Sequence, residues 1–212
     1  MTDPTYTALL LIVDRSGSMQ NIRSDMEGGL RALLTEQSAL PGRLTVDLVV
    51  FDTLLERLAH FSPAAEVDVR IEPRGMTALL DALGTSIVKF GGELRRLPEQ
   101  ERPGLVQVVV VTDGLENSSK EWTRQAVATL VRQQRDVYRW DFVFLGADQD
   151  AVLVGGELGI AAASAMRYDK TADSVAAMNA SVGRYITANR AAAAPVAAFT
   201  DEDRMGATTE QR

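Results

Sequence analysis

Five large aliphatic residues in succession, Leu9 to Val13, stop abruptly at Asp14. An unbroken apolar run of this length reads as a strand covered on both faces, the pattern of a central strand in a parallel sheet. A sheet of that kind needs helices on both sides, so this run restricts the chain to an α/β layered fold. Polar chemistry begins where the run ends. Asp14, Ser16 and Ser18 place a carboxylate and two hydroxyls within five residues, and Gly17 permits a tight turn between them. Ligands of open α/β sheets bind at the carboxyl ends of the strands. All three side chains offer oxygen, the donor type suited to hard cations such as Mg²⁺, Mn²⁺ or Ca²⁺. The same residues are also good helix N-caps, so this stretch by itself leaves a cap and a metal site as alternatives.

The rest of the chain alternates strand and helix patterns. Ile22, Met26, Leu30, Leu33, Leu34 and Leu40 recur at steps of three and four, which predicts an amphipathic helix over 20–40. Gly28-Gly29 interrupts it, as expected if that helix packs closely on the sheet. Arg43 to Phe51 is a strand, and the two residues Asp52-Thr53 join it to a weaker strand over 54–61. So short a connection requires an antiparallel hairpin at the sheet edge. His60, the single histidine, sits in that edge strand with no acidic motif beside it in sequence, and reads as structural. After Gly75-Met76-Thr77, the stripe Leu79, Leu80, Leu83, Ile87, Phe90 and Leu94 predicts a second helix, with Thr77 as either its cap or a hydroxyl ligand. Leu105 to Val111 is a second buried strand, and it too ends in a carboxylate and a glycine, Asp113-Gly114. A polar loop over 115–121 leads to a helix marked by Trp122, Ala126, Leu130 and Val131. A strand over 140–145 comes next, then a short helix capped by Asp148. A last strand is expected near 160–165, and a final helix runs from Thr171 to about Arg190. The architecture is a doubly wound α/β sheet, mostly parallel, with one antiparallel edge hairpin and helices on both faces. Residues 1–190 read as one domain and 191–212, poor in large apolar residues, as a flexible tail.

Composition narrows the function. The chain has 212 residues, of which 46% are hydrophobic, enough for a sizeable core. A net charge of −7 disfavours nucleic acid as a partner. The chain contains no cysteine, so thiolate metal sites and cysteine nucleophiles are excluded, and a reducing, cytoplasmic setting is expected. The N-terminus does not read as a signal peptide, and no run reaches the roughly 20 apolar residues of a membrane span.

Asp14-Arg15-Ser16-Gly17-Ser18, Gly75-Met76-Thr77 and Thr112-Asp113-Gly114 together resemble the metal-ion-dependent adhesion site of von Willebrand factor type A (VWA, or integrin I-like) domains. Their order, their placement after buried strands and the edge hairpin agree with that family, and the resemblance covers residues 5 to 190. It implies that Ser16, Ser18 and Thr77 bind a metal through their hydroxyls. Asp14 and Asp113 would hold it chiefly through ordered waters. A sixth position would stay open for the carboxylate of a partner's Asp or Glu. Mostly neutral ligands leave Mg²⁺ (or Mn²⁺ or Ca²⁺) under-neutralised, which favours an external carboxylate. The chain is similar to stand-alone bacterial or phage-type members, whose partners vary.

The expected function is therefore a metal-dependent protein-binding module and not an enzyme, its partner and oligomeric state being open. One alternative is a Mg²⁺-dependent phosphohydrolase with Asp14 as nucleophile. Such enzymes carry a second Asp two residues on, where this chain has Ser16, a poor acid or base near neutral pH. Another is an adaptor subunit of an ATPase machine, the ATPase being a separate chain because no Walker-type loop occurs here. Loops 19–25, 115–122 and 146–150 are candidates for reading the partner. Asp201, Glu202 and Asp203 are candidates for a carboxylate of the tail itself at the open metal position.

Overall fold

The computed structural model describes residues 1–147 and 150–208. Six strands form one sheet: β1 (Asp3–Asp14), β2 (Arg43–Phe51), β3 (Leu55–Pro63), β4 (Pro103–Thr112), β5 (Asp141–Ala147) and β6 (Ala165–Tyr168). Six α-helices flank it: α1 (Arg23–Ser38), α2 (Leu79–Arg96), α3 (Arg124–Tyr138), α4 (Ala151–Glu157), α5 (Ala172–Ala192) and α6 (Asp201–Gly206). The strand order is β3-β2-β1-β4-β5-β6, with every neighbouring pair parallel except β2 and β3. The fold is thus the doubly wound, mostly parallel sheet with one antiparallel edge that the sequence patterning predicts.

The run Leu9 to Val13 is inaccessible to solvent because both of its faces are covered. Side chains alternate across a strand, so Leu9, Leu11 and Val13 meet α1 and α5 on one side. Leu10 and Ile12 meet α2 and α3 on the other. β1 and β4 are the two central strands. The chain winds outward from β1 through β2 in one direction and from β4 through β5 in the other. Their carboxyl ends therefore form the topological switch point, where such sheets open a crevice.

Four local differences from the sequence reading have physical causes. Gly29 faces α5 and not the sheet: a Cβ there would collide with the Asn179 side chain, so the glycine sets the approach of two helices. The last strand forms at Ala165–Tyr168, because residues 162–164 close a 3-10 turn and pairing with β5 begins only at Ala165 opposite Phe144. Trp122 precedes its helix, whose cap is Thr123, and lies against Gly84 of α2. Asp148, the expected cap of α4, is outside the described residues; the Asp150 side chain accepts the Leu153 N–H at 2.9 Å.

Residues 193–208, read from the sequence as tail, lie against the domain. Phe199 and Ala207 are buried in the same cluster as α1 and α5. Asn189 Oδ1 accepts the N–H groups of Val196 and Ala197, each at 2.7 Å. Arg204 donates to the carbonyls of Ala165 and Ala162. The hydrogen bonds among these anchors join polar side chains to backbone groups, which hydrophobic patterning does not reveal.

Candidate metal centre

Asp14 ends β1 and Asp113 comes directly after β4, so the parallel register of adjacent strands brings the two carboxylates to one edge. Asp14 is buried and fixed on both oxygens. Its Oδ1 accepts the Ser16 N–H at 2.6 Å and its Oδ2 accepts the Thr112 hydroxyl at 2.6 Å. Burial pushes the Asp14 carboxyl up to about 6; the hydrogen bonds from Thr112 and Ser16 oppose this, and the Asp113 charge adds to it. Ser16 Oγ and Ser18 Oγ are 2.9 Å apart, and the Ser18 hydroxyl donates to Asp113 Oδ1 at 2.6 Å. Among the described residues, Asp113 Oδ2 is buried and accepts no hydrogen bond. Its cationic neighbour is Lys170 Nζ at 3.2 Å, an ion pair without hydrogen-bond geometry.

Thr77 comes from the loop ahead of α2. It does not cap that helix: the cap position is Ala78, with no side-chain bond. Its hydroxyl instead faces the serines across Gly114. A Cβ built on Gly114 would lie 2.9 Å from Thr77 Oγ1, 3.5 Å from Ser18 Oγ and 3.7 Å from Ser16 Oγ. Three hydroxyl oxygens thus surround a point next to the backbone that a single methyl would fill. All five residues singled out from the sequence are gathered at this edge.

The supporting loops are tied together by contacts that the sequence reading does not anticipate. Arg15 donates its backbone N–H to Phe51 O and receives the Arg74 N–H on its own carbonyl. Gly17 N donates to Gly75 O at 3.3 Å. Gly75 has φ +67°, a left-handed conformation that favours glycine. The buried Asp52 accepts Arg15 Nε at 3.0 Å, Arg74 Nε at 2.8 Å and the Leu54 N–H at 2.7 Å. Burial alone would raise the Asp52 carboxyl; the two guanidinium groups and that N–H outweigh it and hold it low.

The loop over 115–122, a candidate from the sequence for reading the partner, clamps the start of α2. Asn117 Oδ1 accepts the Thr77 N–H at 2.9 Å, and Asn117 N donates to Thr77 O at 3.0 Å. Glu116 accepts the Leu80, Ser118 and Ser119 N–H groups, and Asp81 in return accepts those of Lys120, Glu121 and Trp122. An unsatisfied helix start draws in side-chain acceptors: Glu116 takes the Leu80 N–H and Ser119 Oγ the Asp81 N–H, while the Asp81 carboxylate holds the loop in turn. No sequence spacing announces this, because the clamp joins segments distant in sequence: Asn117 Oδ1 and the Thr77 N–H it accepts are 40 residues apart.

A second group of possible ligands lies away from this edge. Asp47, His60 and Glu93 each bring a donor atom within 4.8 Å of one another. The β2–β3 pairing, not local sequence, makes His60 a neighbour of Asp47, with Nδ1 3.1 Å from Oδ1. Arg57 already supplies a cation there, with a two-pronged bond to Glu93 at 3.0 Å and Nε 3.4 Å from Asp47. The arrangement ties the edge strand to α2.

A cation at the Asp14 edge can be judged against what the residues themselves display. The donors are all oxygen, two carboxylates lie behind three hydroxyls, and one buried carboxylate oxygen accepts no hydrogen bond among the described residues. Those features suit a hard cation. The edge is also open: Ser18, Gly75 and Met76 are exposed, and so are Leu54 and Leu115 on the adjoining loops.

The strand order and its one antiparallel edge strand give a fold like that of VWA domains. Among solved structures, the chain is similar to proximal thread matrix protein 1 from the mussel byssus with a zinc-occupied MIDAS motif, at 14% identity and TM-score 0.61, covering 90% of this chain and 47% of that one. It is similar to a von Willebrand factor type A protein from Catenulispora acidiphila, at 15% identity and TM-score 0.56, covering 84% and 42%. It is also similar to the vWF domain of the type V pili tip protein Mfa5 from Porphyromonas gingivalis, at 11% identity and TM-score 0.61, covering 86% and 95%. The chain thus spans under half of the first two proteins and nearly all of the third. No protein-family model matches the sequence, and no curated protein matches it.

Proposed function

We propose that this chain is a divalent-metal-dependent protein-binding module. The observation that carries the reading is the convergence of the Ser16, Ser18 and Thr77 hydroxyls on one point beside Gly114, with Asp14 and Asp113 behind them. These five residues would hold the ion, with Mg²⁺ favoured and Mn²⁺ or Ca²⁺ as alternatives. A bound divalent ion supplies a Lewis-acidic position able to take an Asp or Glu carboxylate from a partner. The chain's own part is to fix the donors. Thr112 and Ser16 N–H orient Asp14, Ser18 orients Asp113, and Asn117 holds the Thr77 backbone. Exposed Leu54, Met76 and Leu115 add apolar surface on the same loops, which suits contact with a protein.

The enzyme reading is less well supported. Asp14, the nucleophile it requires, is buried and engaged on both oxygens. Ser16 stands where an acid/base would be needed. The mussel and pilus names attached to structures of similar fold belong to extracellular settings, so the fold does not assign a compartment. Among the described residues, no helix is long and apolar enough to cross a membrane.

The test is a display library of short peptides carrying Asp or Glu, screened against the protein in Mg²⁺ and again in EDTA. The reading predicts selected peptides that need both the metal and the carboxylate, binding being lost on Asp→Asn or Glu→Gln replacement in the peptide. Metal-independent selection, or indifference to the amide replacement, contradicts it.

A further inference from the structure

We propose that Lys170 is an internal counter-cation of this edge that competes with a divalent ion, so that the loop after β6 sets how tightly the site takes metal. The inference rests on the metal-site reading above. Lys170 Nζ lies 3.2 Å from Asp113 Oδ2. The Asp113 side chain is fully buried, whereas that of Lys170 is 26% exposed. Asp113 therefore divides its two oxygens between a hydroxyl that points to the three-hydroxyl cradle and an ammonium delivered from another element. The backbone on either side of Lys170 is held: Asp169 N donates to Ala207 O at 3.0 Å, and Thr171 N to Asp169 O at 2.9 Å. Thr171 then caps α5. The lysine is thus launched from a fixed point across the sheet edge towards β4.

An ammonium and a divalent ion seek the same carboxylate, and two cations at such range repel each other. A metal entering among Ser16, Ser18, Thr77 and Asp113 must weaken the Lys170–Asp113 pair or tolerate its charge. Lysine suits a displaceable role, because its compact charge rides on a flexible stem that can swing into water. With no metal bound, the same pair offsets the charge of a buried carboxylate. One residue thus stabilises the metal-free state and lowers metal affinity, and the two effects have opposite signs on its removal. A purely structural ion pair would show only the first.

The experiment is calorimetric titration of Mn²⁺ and Mg²⁺ into EDTA-stripped, dialysed wild type, Lys170→Met and Lys170→Arg, with thermal midpoints of the stripped proteins. The proposal predicts that Lys170→Met binds Mn²⁺ about tenfold more tightly than wild type, equivalent to ~1.4 kcal/mol. Its metal-free midpoint falls, while Lys170→Arg stays near wild type in affinity. Binding by Lys170→Met alone, wild type giving no signal, also supports it. Unchanged or weaker binding by Lys170→Met, with wild type binding normally, overturns the proposal and leaves the metal site standing. Absence of binding by all three proteins overturns the metal-site reading, and the proposal with it.

Discussion

The Thr112 hydroxyl donates to Asp14 Oδ2 at 2.6 Å, joining the ends of two strands that are 98 residues apart in sequence. The same hydroxyl accepts the Gly114 N–H at 3.2 Å, so it also shapes the turn that carries the cradle. Thr112→Val keeps the shape and removes the hydroxyl, leaving a buried carboxylate oxygen without its donor. A loss of about 1–3 kcal/mol is expected in chemical denaturation. Metal affinity should fall as well, because Asp14 is no longer oriented.

Asp14 is a buried carboxylate whose burial raises its pKa to about 6. In metal-free protein at neutral pH its charge therefore opposes folding. Asp14→Asn removes that charge and should stabilise the EDTA-treated protein by roughly 1–3 kcal/mol, while abolishing the response to Mg²⁺ or Mn²⁺. Urea unfolding of both proteins with and without metal checks both halves.

Asn117 holds Thr77 from both sides of its peptide, through its side-chain oxygen and its own N–H. Asn117→Ala removes the side-chain acceptor only. The expected outcome is a modest fall in stability, on the order of 1 kcal/mol, with a clear weakening of metal binding in titration. Equal effects on the metal-free protein and no change in affinity would make Asn117 a helix clamp alone.

Asp203 is held down to about 2: burial raises it, but the Thr200 N–H, Arg184, Ser181 and the Thr200 hydroxyl together outweigh burial. A carboxyl depressed in the folded state contributes stability above its unfolded value, and loses it as pH falls through the folded value. The contribution of Asp203, on the order of 2 kcal/mol, should be complete above about pH 5 and roughly halved near pH 3. Asp203→Asn should therefore destabilise the protein more at pH 6 than at pH 3 in denaturant melts. Because Asp203 is committed to Thr200 and Arg184, it is also poorly placed to act as the tail ligand considered from the sequence.

How much of the fold and site is legible in sequence depends on the range of the interaction. The Leu9–Val13 and 105–111 runs announce central strands because both faces of each are covered, and burial on two sides needs continuous apolar residues. Asp14, Ser16, Ser18 and Asp113 then fall at or just beyond strand ends by simple continuation of the chain, and Thr77 falls just ahead of α2. The partners of Thr112, Asn117, Asp52 and Lys170 are not marked out, since each acts on a group in another element and no local pattern announces the contact. The acidic neighbours of His60 are hidden for the same reason: they come from strand pairing and from α2. The attachment of the segment after Arg190 is hidden because it uses Asn189 and Arg204 on backbone groups, which hydrophobicity does not register.

The most direct test uses Gly114. Its hydrogen points at three hydroxyls, and its backbone is not in the left-handed region, so alanine is conformationally acceptable there. Gly114→Ala would place a methyl 2.9 Å from Thr77 Oγ1, in the space that the proposed metal would need. Thermal unfolding of wild type and Gly114→Ala should be compared in EDTA and in Mg²⁺ or Mn²⁺. The metal-site reading predicts a wild-type midpoint that rises with the divalent ion by mass action and a variant that stays folded without responding. A wild type indifferent to both ions, or a variant that responds as wild type does, would contradict it.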